Sequence, residues 1–387
     1  MSDAPVYLDY AATTPADPRV IDAMLACSGV GGTFANPASV HVAGRAAARA
    51  VQHARQQLAD LLNTDPDRLI FTSGATESDN LAIRGAAEAR AGRGRHLVTM
   101  PTEHKAVTDT FRALERDGYD VSWLQPSADG VLDLDDLQNA IRDDTQLVSI
   151  MHVNNETGVI QDIAAIGKLC RARDVLFHTD AAQSAGKLPI DLDALPVDLL
   201  SLTAHKFCGP QGTGALYIAD RPACAVFPLM FGGGQERRLR PGTLPVHLVA
   251  GLGAAAAIAA AEHRDDLSRI EALRDRLWAG LAGVPRIVQN GAGAPRYPGI
   301  LNVAAGDVEG ESLLLAMEPV CVASGSACNS VSGEPSHVLR ALGRSDREAQ
   351  SAIRFSIGRF TTEAEIDTAI ERYQNAVLRL RDMAPVT

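Results

Sequence analysis

Short apolar runs that break off at a polar turn, each followed by a helical stretch, recur through roughly the first two-thirds of this 387-residue chain. The apolar runs are Leu69 to Thr72, His96 to Met100, Val121 to Leu124, Leu147 to Val153, Val175 to Thr179, Asp198 to Leu202 and Gly214 to Ala219. Helical spacing fills the stretches from about His41 to Leu62, from Ser73 onward, through Glu115, from Leu134 to Ile141 and from Ile163 to Ala172. Continuous apolar runs alternating with helices are the pattern of a mostly parallel sheet covered by helices. In such sheets ligands bind beyond the carboxyl ends of the strands. Thr76, His104, Asn155, Asp180 and Lys206 all fall at strand ends of this kind.

Composition removes several classes of function. A net charge of −11 argues against a nucleic-acid surface as the main function. No apolar run is expected to span a membrane, and Ala254 to Ala261 is flanked by glycine and charge. The start, Met1-Ser-Asp-Ala-Pro, is polar and leads directly into a strand-like run, so a cytoplasmic protein without a leader is expected. Six cysteines without a close pairing pattern point to a reducing compartment and free thiols.

Each polar residue taken alone has an ordinary explanation. A lysine past a strand is most often a surface residue, and a serine- and threonine-rich helix start is an ordinary cap. Together they limit the chemistry. The stretch Ser73 to Asn80 opens a helix with small residues and hydroxyls, whose backbone N–H groups suit a phosphate. Lys206 can supply an amine for a Schiff base, and Asp180 a carboxylate for a ring nitrogen. These are the parts that hold pyridoxal 5'-phosphate. The rival reading is a metal site built from His104, His152, His178 and His205. These histidines lie on different strands, with no His-x-x-x-His or Cys-x-x-Cys pair, so no intrinsic metal is expected.

The motifs Tyr7-Leu-Asp-Tyr-Ala-Ala-Thr-Thr-Pro, Phe71-Thr-Ser-Gly-Ala-Thr-Glu-Ser-Asp-Asn, Thr102-Glu-His-Lys, His152-Val-Asn-Asn-Glu, His178-Thr-Asp-Ala-Ala-Gln, Ala204-His-Lys and Ser324-Gly-Ser-Ala-Cys span the chain. In combination they resemble cysteine desulfurases of the bacterial iron–sulfur-cluster-assembly type, a branch of the class V aminotransferase family. The resemblance implies a fold-type I α/β homodimer dependent on pyridoxal phosphate. Its large domain, about residues 16–260, would hold a mostly parallel seven-stranded sheet. A smaller α+β domain would combine residues 1–15 with 261–387.

Carried over position by position, the resemblance makes Lys206 the covalent anchor of the cofactor. Ala75, Thr76, Thr203 and His205 would contact its phosphate, Asp180 its ring nitrogen and Gln183 its ring hydroxyl, with His104 stacked on the ring. Asn155 would lie near ring and substrate, and Arg354 would clamp the substrate carboxylate. By its residues alone Arg354 reads as a surface strand position. The segment Phe231 to Thr243 reads alone as a mobile basic loop, and the resemblance has Thr243 reach the phosphate of the other subunit.

The loop Ala323 to Pro335 is rich in small residues, so its Cys328 is expected to be exposed on a flexible segment. Cys27, Cys170, Cys208, Cys224 and Cys321 are expected to be inert. A thiol at Cys208, fixed beside Lys206, could not travel to deliver sulfur. The resemblance makes Cys328 the nucleophile that takes sulfur from L-cysteine, leaving alanine, and passes the persulfide to acceptor proteins for iron–sulfur assembly and other thiolation pathways. In complex with a scaffold, Cys328 would contact a 2Fe–2S cluster. The chain ends at Arg381-Asp-Met-Ala-Pro-Val-Thr387, short of the tail through which such relatives dock the scaffold. That places scaffold docking, though not sulfur transfer, in doubt. A selenocysteine lyase would share the cofactor residues, and a plain class V aminotransferase would have no use for the cysteine loop.

Overall fold

The computed structural model describes residues 5–324 and 334–383. Its strands, in chain order, are β1 (Val6–Tyr7), β2 (Leu69–Thr72), β3 (His96–Thr99), β4 (Asp120–Trp123), β5 (Thr145–Ser149), β6 (Leu176–Asp180), β7 (Leu199–Thr203), β8 (Gly214–Ile218), β9 (Ile287–Gln289), β10 (Ile300–Ala305), β11 (Val320–Cys321) and β12 (Ala352–Ser356). Seven of them form one sheet in the order β2-β8-β7-β6-β5-β3-β4. The pairs β7–β6, β6–β5, β5–β3 and β3–β4 are parallel, and β8 runs antiparallel to both β7 and β2. The expected mostly parallel seven-stranded sheet is therefore present. Strands β2, β3, β5, β6, β7 and β8 are buried along their whole length, because helices cover both faces.

Most strand limits shift from the sequence reading, and two of the shifts bear on the cavity. The run from Leu147 continues as apolar chain to Val153, but regular pairing in β5 stops at Ser149. Beyond it, single bonds from Ile150 N to His178 O and from His152 N to Asp180 O keep the chain against β6 while it turns toward Asn154. The sixth strand extends one residue further and includes Asp180 itself.

A second, antiparallel sheet, β12-β10-β9, packs its own apolar core with Leu273, Leu277, Phe355 and Tyr373. Leu8 belongs to this core, and β1 pairs in parallel with β11, so the first residues fold with the last third of the chain. The helix Val246–Leu281 joins the two cores: Val246 to Ala259 pack in the first and Ile270 to Leu281 in the second. By length and composition this helix could cross a bilayer, which the sequence reading did not anticipate. Its alanines and glycines instead allow close helix packing. A Cβ on Gly253 would stand 2.5 Å from the Ala54 Cα, on the neighbouring helix Val42–Leu62.

The glycine-rich segment expected to be a mobile loop is pinned. Glu236, in the short turn Gln235–Arg238, is buried and accepts from Arg55 Nη2 at 2.6 Å, Arg55 Nη1 at 3.0 Å and Phe71 N at 2.6 Å. Glu236, Arg237 and Arg238 all adopt positive φ (42°, 55° and 66°), a backbone cost that this buried ion pair offsets.

Candidate active site

The carboxyl ends of β2, β3, β6 and β7 surround a cavity of about 590 Å³. Its lining includes Ala75, Thr76, His104, Asn155, Asp180, Gln183, Thr203, His205, Lys206 and Arg354. Thr243 does not line it. That residue is exposed and borders a separate hollow with Cys27, Phe34 and His247. Cys328 lies outside the described residues.

One end of the cavity is the start of helix Ala75–Ala89. Its first residue follows Gly74, whose φ of 152° only glycine adopts readily, and no side chain caps the helix. The first-turn N–H groups therefore face the cavity with the positive end of the helix dipole. Thr203 and His205 flank this end from β7 and the turn Ala204–Lys206. His205 Nδ1 lies 3.1 Å from Thr13 Oγ1, and burial holds its pKa down to about 4, so the ring is neutral near pH 7. Glu77, at the rim, is balanced by Arg240, whose Nε donates to it at 2.9 Å.

Asp180 ends β6 fully enclosed, and its Oδ1 accepts from Ala182 N at 2.8 Å. Burial raises its pKa, while the neighbouring charges of His104 and Lys206 pull it back. His104 caps helix Lys105–Arg116 by accepting from Ala106 N at 3.1 Å through Nδ1. That bond assigns the ring proton to Nε2. Burial lowers the His104 pKa against the opposing pull of the Asp180 carboxylate, and the charges of Lys206 and His337 add to the lowering.

Lys206 follows β7 directly, and its Nζ donates to the carbonyls of Ala11 at 2.6 Å and Ala12 at 2.8 Å. The N-terminal motif therefore supplies backbone acceptors to the lysine. Residue type does not reveal such a role, and the sequence reading missed it. Gln183 Nε2 donates to the same Ala11 carbonyl at 2.8 Å.

Arg354 corrects the surface-strand reading. It sits mid-strand in β12 with 1% of its surface exposed. Nη1 donates to Asn155 O at 2.8 Å and Nη2 to Asp9 Oδ1 at 2.8 Å. Among the described residues Arg354 Nε and Asn155 Oδ1 are both buried without a hydrogen-bond partner. Such orphan groups are costly unless a ligand meets them. Of the other cysteines, Cys27, Cys170, Cys208 and Cys224 are buried free thiols, and Cys321 is partly exposed. Burial raises the thiol pKa of Cys170 and Cys224 to about 12 and also raises those of Cys27 and Cys208. Among the described residues no cluster of three or more His, Cys, Asp or Glu could hold a metal.

This fold and this cavity are those of the class-V aminotransferases, whose family profile matches residues 6–368. The chain belongs to that family, and like its other members it is a pyridoxal-phosphate-dependent enzyme. It is 56% identical over 383 residues to the cysteine desulfurase IscS of Shewanella woodyi, covering 99% of this chain and 95% of the relative. Among solved structures, a NifS-like protein superimposes with a TM-score of 0.90 at 35% identity, covering 97% of this chain and all of the other. SspA in complex with cysteine gives 0.81 at 38% identity, covering 92% of this chain and 99% of the other.

Proposed function

We propose that the protein is a cysteine desulfurase that converts L-cysteine to L-alanine and receives the sulfur on Cys328. The observation that carries the reading is the convergence of Lys206, Asp180, His104, Asn155 and Arg354, from separate strands, on one cavity. The uncapped helix start suits a phosphate, the enclosed Asp180 a ring nitrogen, and the orphaned Asn155 Oδ1 a polar ligand atom. The residues present therefore fit pyridoxal phosphate. Ala75, Thr76, Thr203 and His205 would hold its phosphate, with Thr243 of a second subunit. Asp180 and Gln183 would hold the ring, His104 would cover it, and Lys206 would anchor it covalently. The large-domain and small-domain division at about residue 260 is part of this reading.

When bound, the cofactor supplies an electron sink for the substrate Cα. Arg354 presents Nε and its remaining N–H groups to the substrate carboxylate as a planar fork. Once the substrate amine has taken its place as the covalent link, the freed Lys206 amine, seated near the Ala11 and Ala12 carbonyls, takes the Cα proton. His104, with its proton on Nε2 and a depressed pKa, moves a proton at that nitrogen. The Cys328 thiolate attacks the substrate sulfur as the C–S bond breaks. One sulfur atom moves to Cys328 as a persulfide; the electron pair of the broken C–S bond stays on the substrate side, whose Cβ takes up a proton, and the product is alanine.

The enzyme works as a cytoplasmic homodimer and passes the persulfide to sulfur-acceptor proteins. The test is an absorbance spectrum with and without L-cysteine, alongside alanine and sulfide release. Supported, the protein carries a visible cofactor band, Lys206→Ala turns over nothing, and Cys328→Ser keeps the band without releasing sulfide. A protein that stays colourless after incubation with pyridoxal phosphate sinks the assignment. Loss of activity on cysteine but not on selenocysteine in Cys328→Ser would leave selenocysteine lyase open as a second activity.

A further inference from the structure

Behind the wall that carries Gln183 and Lys206 lies a second, narrow cavity with room for about 50 Å³ of water-sized occupancy. Lys187 reaches into it, together with Cys208, Tyr297, Asp266 and Arg359. Lys187 is half-buried, with its ammonium turned inward, and a lysine rarely turns its charge inward without a task. The Lys187 ammonium stands 5.4 Å from the centre of the Tyr297 ring and donates to Gln183 Oε1 at 2.9 Å. Gln183 Nε2 in turn donates one N–H to the Ala11 carbonyl, the same oxygen that accepts from Lys206. Gln183 is itself buried. Its oxygen is committed to Lys187 and one N–H to Ala11, so the second N–H is the group left for the active-site cavity.

We propose that Lys187 is a positioning residue that fixes the Gln183 amide so that it presents an N–H donor, never its carbonyl, to the ligand in the active-site cavity. The inference rests on the reading that pyridoxal phosphate occupies that cavity with its ring oxygen near Gln183. A donor at that place favours the ionised ring oxygen over the protonated one. Without Lys187 only the Ala11 contact holds the amide, so the rotated form that offers its carbonyl, which favours the protonated oxygen, becomes more accessible. Burial and the nearby charge of Lys206 lower the Lys187 pKa to about 7, with Cys208 opposing and Arg354 adding to the shift. The neutral amine still donates an N–H, so the orientation does not require the charge.

The test reads the visible spectrum of the purified, cofactor-loaded protein against pH. In Lys187→Met the midpoint of the pH-dependent band shift should rise by about one pH unit, a tenfold change in the equilibrium. Lys187→Gln, a neutral donor of shorter reach, should recover at least half of that rise. It is also the second variant should Lys187→Met fold poorly. In a Gln183→Leu background, Lys187→Met should move the midpoint by no more than about 0.3 units, because the two act through one contact. An equal shift in both backgrounds, or none in the parent background, overturns the proposal. So does a Lys187→Gln variant that behaves as Lys187→Met does. A parent protein with no visible band at all would instead overturn the cofactor reading on which the inference rests.

Discussion

Replacing Arg354 separates its contacts in the fold from the substrate role proposed for it. In Arg354→Lys the ammonium can reach Asn155 O or Asp9 Oδ1, both now at 2.8 Å, but it cannot hold both and keep a planar fork for a substrate. Removing one partner of a buried charged pair costs about 3–5 kcal/mol. Here Asp9 keeps 20% of its side-chain surface exposed, and lysine retains a charge, so about 2–3 kcal/mol of stability should be lost. Losing the bidentate clamp on a carboxylate costs about 2–4 kcal/mol of binding, which raises KM for L-cysteine between about 30-fold and 1000-fold. The paired control is Asp9→Asn. It weakens the structural contact while leaving the guanidinium in place, so it should cost about 1 kcal/mol and change KM less than about threefold. Urea unfolding and initial rates of alanine formation against cysteine concentration measure the two quantities. A KM for Arg354→Lys within twofold of the parent would refute the clamp. So would a KM loss in Asp9→Asn as large as in Arg354→Lys.

The remaining predictions concern the scaffold around the site. Glu236→Gln should lower unfolding free energy by about 3 kcal/mol, because it leaves Arg55 buried without a counter-charge; urea denaturation checks it, and a change under about 0.5 kcal/mol would contradict the pinned loop. His178, buried between Ser149 Oγ at 2.8 Å and Ser201 Oγ at 3.0 Å, has its pKa lowered to about 3 by burial. The unfolded chain then binds this proton before the folded one does. Its stabilising contribution is present above pH about 6.5 and is lost as pH falls toward 3. The stability difference between the parent and His178→Asn should therefore shrink by about 1.4 kcal/mol per pH unit on acidification through that window, and a difference that grows instead would mean that the folded imidazole is charged.

Much of the fold was legible because its strands are enclosed on both faces and read as plain apolar runs. Leu176–Asp180 and Leu199–Thr203 are examples, and their ends mark the cavity. The antiparallel course of β8 was not legible, since direction leaves no trace in an apolar run. Arg354 was misread from its residues because a long cation in a strand usually points outward; its burial depends on Asp9 and Asn155, both distant in sequence. The glycine-rich segment 231–243 looked loose for its composition, but one buried ion pair to Arg55 outweighs that composition. The carbonyls of Ala11 and Ala12 carry no side-chain signal at all. Lys187 did leave one, four residues beyond Gln183, a spacing that brings the two side chains together in a helical turn.

The most direct test of the central claim is a single-turnover experiment in which the protein is mixed with L-cysteine, quenched and digested, and the peptide carrying Cys328 is weighed. The account predicts that this peptide gains the mass of one sulfur atom in step with the alanine formed. It also predicts that the peptides carrying Cys208 and Cys321 are unchanged, and that Lys206→Ala shows neither product. Alanine formed at the parent rate with no added sulfur on Cys328, or with the sulfur on Cys208, would contradict it.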